Sequence, residues 1–329
     1  MKLLILGGSR FLGKHLADCA LQRGHEVTLF NRGQSNPGMF PQAEHLIGDR
    51  DQDLSKLTGR YWDAVIDTCG YLPRQVQRTA QLLADQVEHY SFVSTISVYQ
   101  DTMAENYTES AAIKSVDNVD THEFSNENYG PLKALCEQAA LEAMPGRTAI
   151  VRPGLIVGPD DISDRFTYWP LRIERGGTLL APGRPEAPVQ FIDVRDLALW
   201  QVMLAEQKTT GVFHATGPST MMSMQQFLSS VAATLNADIK PVWLEESFLL
   251  KNDVAPYTDM PLWIHDAAIN INTADCQKAY AAGLALRPIE QTVLDTLTWA
   301  KNRSNTTLRA GLSAERESQL LHQWHQQPQ

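Results

Sequence analysis

Short apolar runs alternate with amphipathic stretches through the first half of the chain. Residues 3–6 (LLIL), 26–31 (EVTLFN), 43–48 (AEHLIG), 63–68 (DAVIDT), 90–95 (YSFVST) and 147–152 (RTAIVR) are rich in β-forming side chains and bounded by turn residues. Four to six residues of that kind predict buried strands. Between them, residues 11–23, 73–86 and 127–143 carry helical spacing. Strand-helix alternation predicts an α/β fold, a doubly wound parallel sheet. The second half is less regular. Residues 153–190 are rich in Pro and Gly, 191–206 resume a strand and a helix, and 211–217 (GVFHATG) read as a further strand. Helices are predicted over 222–234, 272–281 and 289–302. A last helix is predicted from Ser313, whose hydroxyl can cap it, with Glu315 favouring the dipole in its first turn.

Length and charge narrow the classes open to this pattern. The chain has 329 residues, 43% of them hydrophobic, enough for one large α/β domain and a smaller lobe. A net charge of -10 gives no global attraction to nucleic acid or to an anionic membrane, although a local basic pocket is compatible with it. Cys19, Cys69, Cys136 and Cys276 are widely spaced without a CxxC, which predicts reduced thiols rather than a disulfide framework. His322 and His325 are the one histidine pair with metal-like spacing, and a polar helix end accounts for them, so no metal is expected. The opening MKLLILGG is too short for a signal peptide, and no run is long enough to span a bilayer. A cytoplasmic protein is expected. Residues 100–128 form a long polar connection with seven acids against Lys114; such connections are often lids, and a partial lid is expected here.

The first predicted strand runs directly into Gly7-Gly8-Ser9-Arg10-Phe11-Leu12-Gly13 and a helix. A helix N-terminus presents free N–H groups and a positive dipole end to a pyrophosphate. Gly7 permits the tight turn and Gly13 the close approach of helix and strand. Arg10 stands where a GxxGxxG pattern has its middle glycine. The second strand ends in Asn31-Arg32-Gly33, where an NAD-binding fold usually carries an acid for the ribose 2′-OH. The acid is absent, and two guanidiniums, Arg10 and Arg32, suit a phosphate dianion. NADP is therefore expected, with NAD as the alternative. Asp49 is a candidate for the adenine edge, and Cys69 and Gly70, after the fourth strand, are expected against the cofactor.

Tyr129-Gly130-Pro131-Leu132-Lys133 opens the helix after the fifth strand. Positions i and i+4 share a helix face. An ammonium near a phenol stabilises phenolate and makes tyrosine a usable general acid/base. A hydroxyl at the end of the fifth strand can hold a substrate oxygen beside it: Thr95 first, with Ser94 and Ser97 in reserve. Cys69 is expected to be a packing residue rather than a nucleophile.

Together, GGSRFLG, STISVYQ, YGPLK, VRPGLIVGP (151–159) and VQFIDVRDLA (189–198) resemble the extended short-chain dehydrogenase/reductase superfamily, also called the NAD-dependent epimerase/dehydratase family. Arg10 in the first motif resembles an atypical, reductase-like subgroup that includes chloroplast stem-loop-binding proteins. The resemblance implies a Rossmann domain over 1–153 plus about 190–217, and a smaller substrate lobe over about 154–189 plus 218–329. It places Thr95, Tyr129 and Lys133 on the catalytic hydroxyl, tyrosine and lysine, with Tyr129 and Lys133 also against the cofactor, Lys133 on the nicotinamide ribose. It also implies that the Tyr129 helix can form a homodimer interface. Ile96-Ser97 stand where sugar-nucleotide dehydratases have Asp-Glu. Leu155 and Val189 stand where sugar-nucleotide epimerases often have phosphate-binding Asn and Arg, and Arg184 lies five residues early. Phe166, Tyr168, Trp169 and Arg184 are candidates, by position, for lining the substrate side.

The leading expectation is an NADP(H)-dependent reductase or dehydrogenase of a small carbonyl or hydroxyl compound. Alternatives are an NAD(P)-dependent sugar or sugar-nucleotide epimerase, and a non-catalytic NADP-sensing or RNA-binding protein. Nucleic acid is disfavoured by the acidic charge.

Overall fold

In a computed structural model, which describes residues 1–101, 103–117 and 119–327, the chain forms two compact units. The elements, in chain order, are β1 (Lys2–Leu6), α1 (Phe11–Gln22), β2 (Glu26–Asn31), β3 (Glu44–Ile47), β4 (Trp62–Asp67), α2 (Pro73–Leu83), β5 (Val87–Val93), α3 (Tyr129–Ala143) and β6 (Thr148–Pro153). They continue as β7 (Leu155–Val157), α4 (Tyr168–Glu174), β8 (Gly177–Pro182), β9 (Pro188–Asp193), α5 (Val194–Gln207), β10 (Gly211–Ala215) and β11 (Gly217–Ser223). The last are α6 (Met224–Leu235), β12 (Ile239–Leu244), α7 (Glu246–Lys251), α8 (Gln277–Ala281), α9 (Ile289–Asn302) and α10 (Ala314–His325).

The first unit comprises Met1–Gly154, Val194–Thr216 and Ala274–Ala285. Its seven strands are all parallel, in the order β10-β6-β5-β4-β1-β2-β3. Strands with near-continuous apolar sequence can be covered on both faces, and these are. Leu4, Leu6, Val65, Tyr90, Phe92 and Ile150 pack with Val76, Ala80 and Leu83 of α2 and Cys136 and Ala140 of α3. Helices α1 and α5 pack together, with Leu16, Ala17, Leu197 and Val202 buried. The order reverses at β1, flanked by β2 and β4. In open α/β sheets that reversal leaves a crevice outside the strands' carboxyl ends, where ligands bind.

The second unit comprises Leu155–Asp193, Gly217–Thr273 and the chain from Leu286 on. Strands β11, β9 and β7 form one sheet, and β12 pairs with β8 in another. Phe166, Tyr168 and Trp169 are fully buried there, among Phe191, Phe227 and Val231. They are core of this unit rather than pocket lining: Phe166 packs against Phe191 and Phe227, Trp169 against Phe227, and Tyr168 against Trp169. Arg184 faces solvent and pairs with Asp266 at 3.0 Å.

Several boundaries differ from those the sequence predicts. Strand β5 starts at Val87, paired with Trp62, and ends at Val93, so Ser94 and Thr95 lie beyond it. Residues 272–281 are not one helix. A 3-10 segment closes at Thr273, and α8 begins only at Gln277, whose N–H is held by the Asp275 carboxylate at 2.8 Å. Residues 274–285 belong to the first unit, not to the second. Ser313 caps α10 by accepting the Arg316 N–H.

Candidate active site

The turn after β1 brings the backbone of strand and helix close together. Gly7, at φ +112°, donates its N–H to the Phe30 carbonyl at 2.9 Å. A Cβ on Gly13 would fall 2.6 Å from the Gly8 nitrogen, so only glycine lets α1 lie this close to the turn. Arg10 has extended backbone (φ -140°, ψ 149°), which explains why a side chain is tolerated in place of the middle glycine. Helix α1 begins at Phe11, and the first N–H groups of a helix have no intrahelical acceptor. Phe11 and Leu12 therefore contribute main chain here; the Leu12 side chain is buried in the core.

Gly8, Ser9, Leu29, Arg32, Met39 and Ile47 are among the residues around a cleft of ≈ 320 Å³ at the ends of β1 and β2. Arg10 and Arg32 are exposed, and neither is ion-paired among the described residues. Asn31 also borders this cleft, but its side chain is committed to bracing the turn. Its Nδ2 donates to the Gly7 carbonyl at 3.0 Å and its Oδ1 accepts the Gly33 N–H at 2.8 Å. Asp49 lies outside the cleft lining, and its carboxylate accepts the Asp51 N–H. The glycine cradle, the open helix terminus and the unpaired Arg32 fit a dinucleotide phosphate group.

Below the end of β4 lies a buried ionic knot. Arg50 pairs with Asp67 through two hydrogen bonds of 2.8 and 2.9 Å, and Tyr90 Oη donates to the same carboxylate at 2.7 Å. Burial pushes the Asp67 carboxyl up, but the Arg50 guanidinium and these hydrogen bonds hold it below the usual range. Cys69 donates its N–H to Asp67, and its Sγ accepts from Arg50 at 3.6 Å. Burial pushes the Cys69 thiol up, which suits packing rather than nucleophilic attack.

Tyr129, Lys133 and Glu137 recur at four-residue spacing on α3 and so share a face. Lys133 is 4% exposed. Its ammonium donates to the Gly70 carbonyl at 2.8 Å and to the Val93 carbonyl at 2.6 Å, just past β4 and at the end of β5. Burial pushes its pKa below the ordinary lysine value. Two of its three donors are used this way, and among the described residues no third acceptor is engaged. Tyr129 is half-buried, its ring 5.8 Å from that of Phe124. Thr95 Oγ1 accepts the Ser97 N–H at 3.1 Å and donates to Ser97 Oγ. A Cβ on Gly130 would fall 2.2 Å from the Ser97 carbonyl. Gly130 thus lets the first turn of α3 press against the turn that carries Thr95. Ser94 is drawn away from this group, its hydroxyl donating to Glu137.

The profile of the NAD dependent epimerase/dehydratase family matches residues 3–215, which contain all of these groups. The chain belongs to that family. A chloroplast stem-loop binding protein of 41 kDa from Arabidopsis thaliana is 26% identical over 239 residues, 66% of this chain and 58% of the relative. The chain thus spans rather more than half the length of that relative. The mouse epimerase family protein SDR39U1 is 25% identical over 262 residues, 71% of this chain and 81% of the relative. Among solved structures, a UDP-N-acetylglucosamine 4-epimerase from Bacillus cereus superposes with a TM-score of 0.68 at 13% identity, covering 93% of this chain and 99% of that one. WbmH of Bordetella bronchiseptica, solved with NAD+, gives 0.66 at 16% identity, over 92% and 99%. These likenesses are of fold.

Within this family member, a second buried network escapes a reading of the sequence. Arg152 on β6 holds Glu137 through Nε and Nη2, at 2.9 and 2.6 Å. Its Nη1 reaches Tyr99 Oη and the Glu109 carbonyl. Tyr99 Oη lies 2.6 Å from His214 Nε2, and His214 Nδ1 lies 2.8 Å from the Asp275 carbonyl. Burial pushes the Tyr99 phenol up to about 12 and the His214 imidazole down, and since the Asp275 carbonyl can only accept, His214 Nδ1 is the donor to it. The first part of the 100–128 connection is fastened to this network. Met103 and Tyr107 are buried, Tyr99 bridges Ile113, and the Glu109 carboxylate accepts the His214 N–H. Among the described residues no cluster of metal-ligating side chains occurs, and no helix is long and apolar enough to cross a membrane.

Proposed function

We propose that this chain is an NADP(H)-dependent oxidoreductase acting on a small carbonyl or hydroxyl compound. The observation that supports its proton-transfer chemistry is Lys133: a buried ammonium on the Tyr129 face of α3, bonded to the Gly70 and Val93 carbonyls, with no third acceptor engaged among the described residues; what favours a small substrate over a sugar nucleotide is the uncharged Leu155 and Val189. The bound dinucleotide would supply the hydride, or accept it in the reverse direction. Gly7, Gly8, Ser9 and Gly13 would hold its pyrophosphate at the start of α1, and Arg32, with Arg10, its 2′-phosphate. Tyr129 gives its phenolic proton to the substrate oxygen. Lys133 stabilises the phenolate that this leaves and donates its third N–H in the crevice. Thr95 orients the substrate oxygen. Replacing Tyr129 by Phe is expected to lower kcat by about 10²–10⁴-fold, the range for a lost general acid/base, and to leave dinucleotide binding intact. NADPH oxidation followed by absorbance across a carbonyl panel tests this. No turnover by the wild type, or equal turnover by Tyr129→Phe, refutes it.

A second reading, NAD(P)-dependent epimerisation of a sugar or sugar nucleotide, is favoured by the family and by the names of its relatives. It uses the same Tyr129 and Lys133 but consumes no dinucleotide overall. Against it, Leu155 and the buried Val189 offer no charge to a diphosphate, and Arg184 is paired with Asp266. Stoichiometric NADPH loss separates the two. Stem-loop binding, the activity in the name of the Arabidopsis relative, is opposed by the net charge of -10.

A further inference from the structure

Two large aromatic side chains stand open beside Tyr129. Tyr71, which follows Gly70, and Phe124, in the connection before α3, are each 48% exposed. The three rings form a row. Tyr71 and Phe124 lie 5.7 Å apart at 79°, and Phe124 and Tyr129 lie 5.8 Å apart at 76°. Lys133 Nζ lies 5.8 Å from the Tyr71 ring centroid, on top of its closer contact, 4.1 Å, with the buried Phe92 ring.

Hydrogen bonds brace the row. Asn128, immediately before Tyr129, grips both neighbours of Phe124: its Nδ2 donates to the Glu123 carbonyl at 2.9 Å, and its Oδ1 accepts the Ser125 N–H at 2.7 Å. Arg74, on α2, donates to the carbonyls of Thr121 and His122. Tyr71 is held through its N–H by Gln75 Oε1 at 3.2 Å. A polar connection thus spends four of these hydrogen bonds on the residues around an exposed phenyl ring beside the Tyr129 ring. Exposed apolar surface that is fixed in advance marks a binding site. Flat groups pack edge-on or offset against such rings.

We propose that Phe124 and Tyr71 form a substrate clasp, selecting carbonyl compounds whose carbonyl bears a flat apolar group. The clasp rests on the assignment of Tyr129 as proton donor. It places an aryl or conjugated substituent against Phe124 and Tyr71 while the carbonyl oxygen meets the phenol. It offers nothing to a sugar-nucleotide diphosphate.

The test compares benzaldehyde with propanal, using the full chain with NADPH. The wild-type ratio of kcat/KM, benzaldehyde over propanal, is expected to exceed ten. It should fall about tenfold in Phe124→Ala and in Tyr71→Leu, with melting temperatures confirming folded variants. In parallel, saturation-transfer NMR reads benzaldehyde binding without turnover. Binding present in the wild type and in Tyr129→Phe but lost in Phe124→Ala supports the clasp even if no carbonyl is reduced, in which case only the oxidoreductase reading falls. A ratio unchanged in both folded variants, or no binding of benzaldehyde to the wild type, overturns the clasp.

Discussion

Replacing Arg152 by Met should destabilise the first unit severely, and for a reason that a double replacement can isolate. Arg152 is buried on β6, and both oxygens of the buried Glu137 accept a hydrogen bond from it. Methionine keeps much of the volume but leaves the carboxylate with the Ser94 hydroxyl alone among its side-chain partners. Stranding one member of a buried ion pair costs about 3–5 kcal/mol. For a unit of this size each kcal/mol moves the melting temperature by roughly 2–4 °C, so a drop of about 6–20 °C is expected. The double variant Arg152→Met/Glu137→Met removes both charges. Apolar replacement of a buried pair is often neutral or better, so it should recover most of the loss. Differential scanning calorimetry is the assay, because the two units can melt separately and a single optical transition need not be two-state. If the single variant loses under ~1 kcal/mol, or the double variant melts no higher than the single, the pair is not what holds α3 against β6.

Other expectations follow from the same structure. Arg32→Ala should weaken NADPH binding about 10–100-fold, from the ~1.5–3 kcal/mol of a hydrogen bond to a charged group, and change NADH binding far less; equal losses for both, by titration calorimetry, would remove Arg32 from the 2′-phosphate. Gly13→Ala places a methyl 2.6 Å from the Gly8 nitrogen and should abolish measurable binding of either dinucleotide while the fold survives by circular dichroism. His89 is buried, its Nε2 donating to the Thr209 carbonyl at 2.9 Å, and burial lowers its pKa in the folded state. Below its unfolded value of about 6.5 the unfolded chain therefore binds the extra proton first. Stability should fall as pH drops from there toward the folded pKa, by at most ~1.4 kcal/mol per pH unit for this one group. The urea midpoint of His89→Gln should be less sensitive between pH 7.5 and 5.5 than that of the wild type; identical slopes would contradict the assignment.

What the sequence made legible is what depends on local pattern. Strand β2 and helix α9 fall on their predicted residues, and the Ser313 cap on its predicted hydroxyl, because periodicity and capping are properties of neighbouring positions. The glycine turn and the Tyr129–Lys133 spacing were readable for the same reason. The ion pair between Glu137 and Arg152 was not: a charge on an amphipathic helix reads as solvent-facing until the strand that neutralises it is placed alongside. Phe166, Tyr168 and Trp169 could be placed only by position, as pocket lining or as core, since a Pro- and Gly-rich stretch gives no periodicity from which burial could be told; the structure makes them core. Phe124 was hidden within an acidic connection. Its significance lies in the Asn128 clamp, a tertiary feature that local pattern does not encode.

Lys133 shows why one residue can be both staple and chemical group. Its two carbonyl bonds join α3 to the turn just past β4 and to the end of β5, so the lysine cannot move without loosening the helix that carries Tyr129. Arginine at this position would keep the charge, but its planar fork has fixed donor directions, unlike the tetrahedral ammonium now shared between two strands. A neutral methionine would leave both carbonyls unpartnered, each at about 1–3 kcal/mol. Lys133→Met should therefore lose stability as well as turnover, whereas in Tyr129→Phe the loss of turnover should far outweigh any loss of stability. That asymmetry separates positioning from proton transfer: a Lys133→Met variant as stable as the wild type would mean that the strand-end carbonyls do not set the place of this helix.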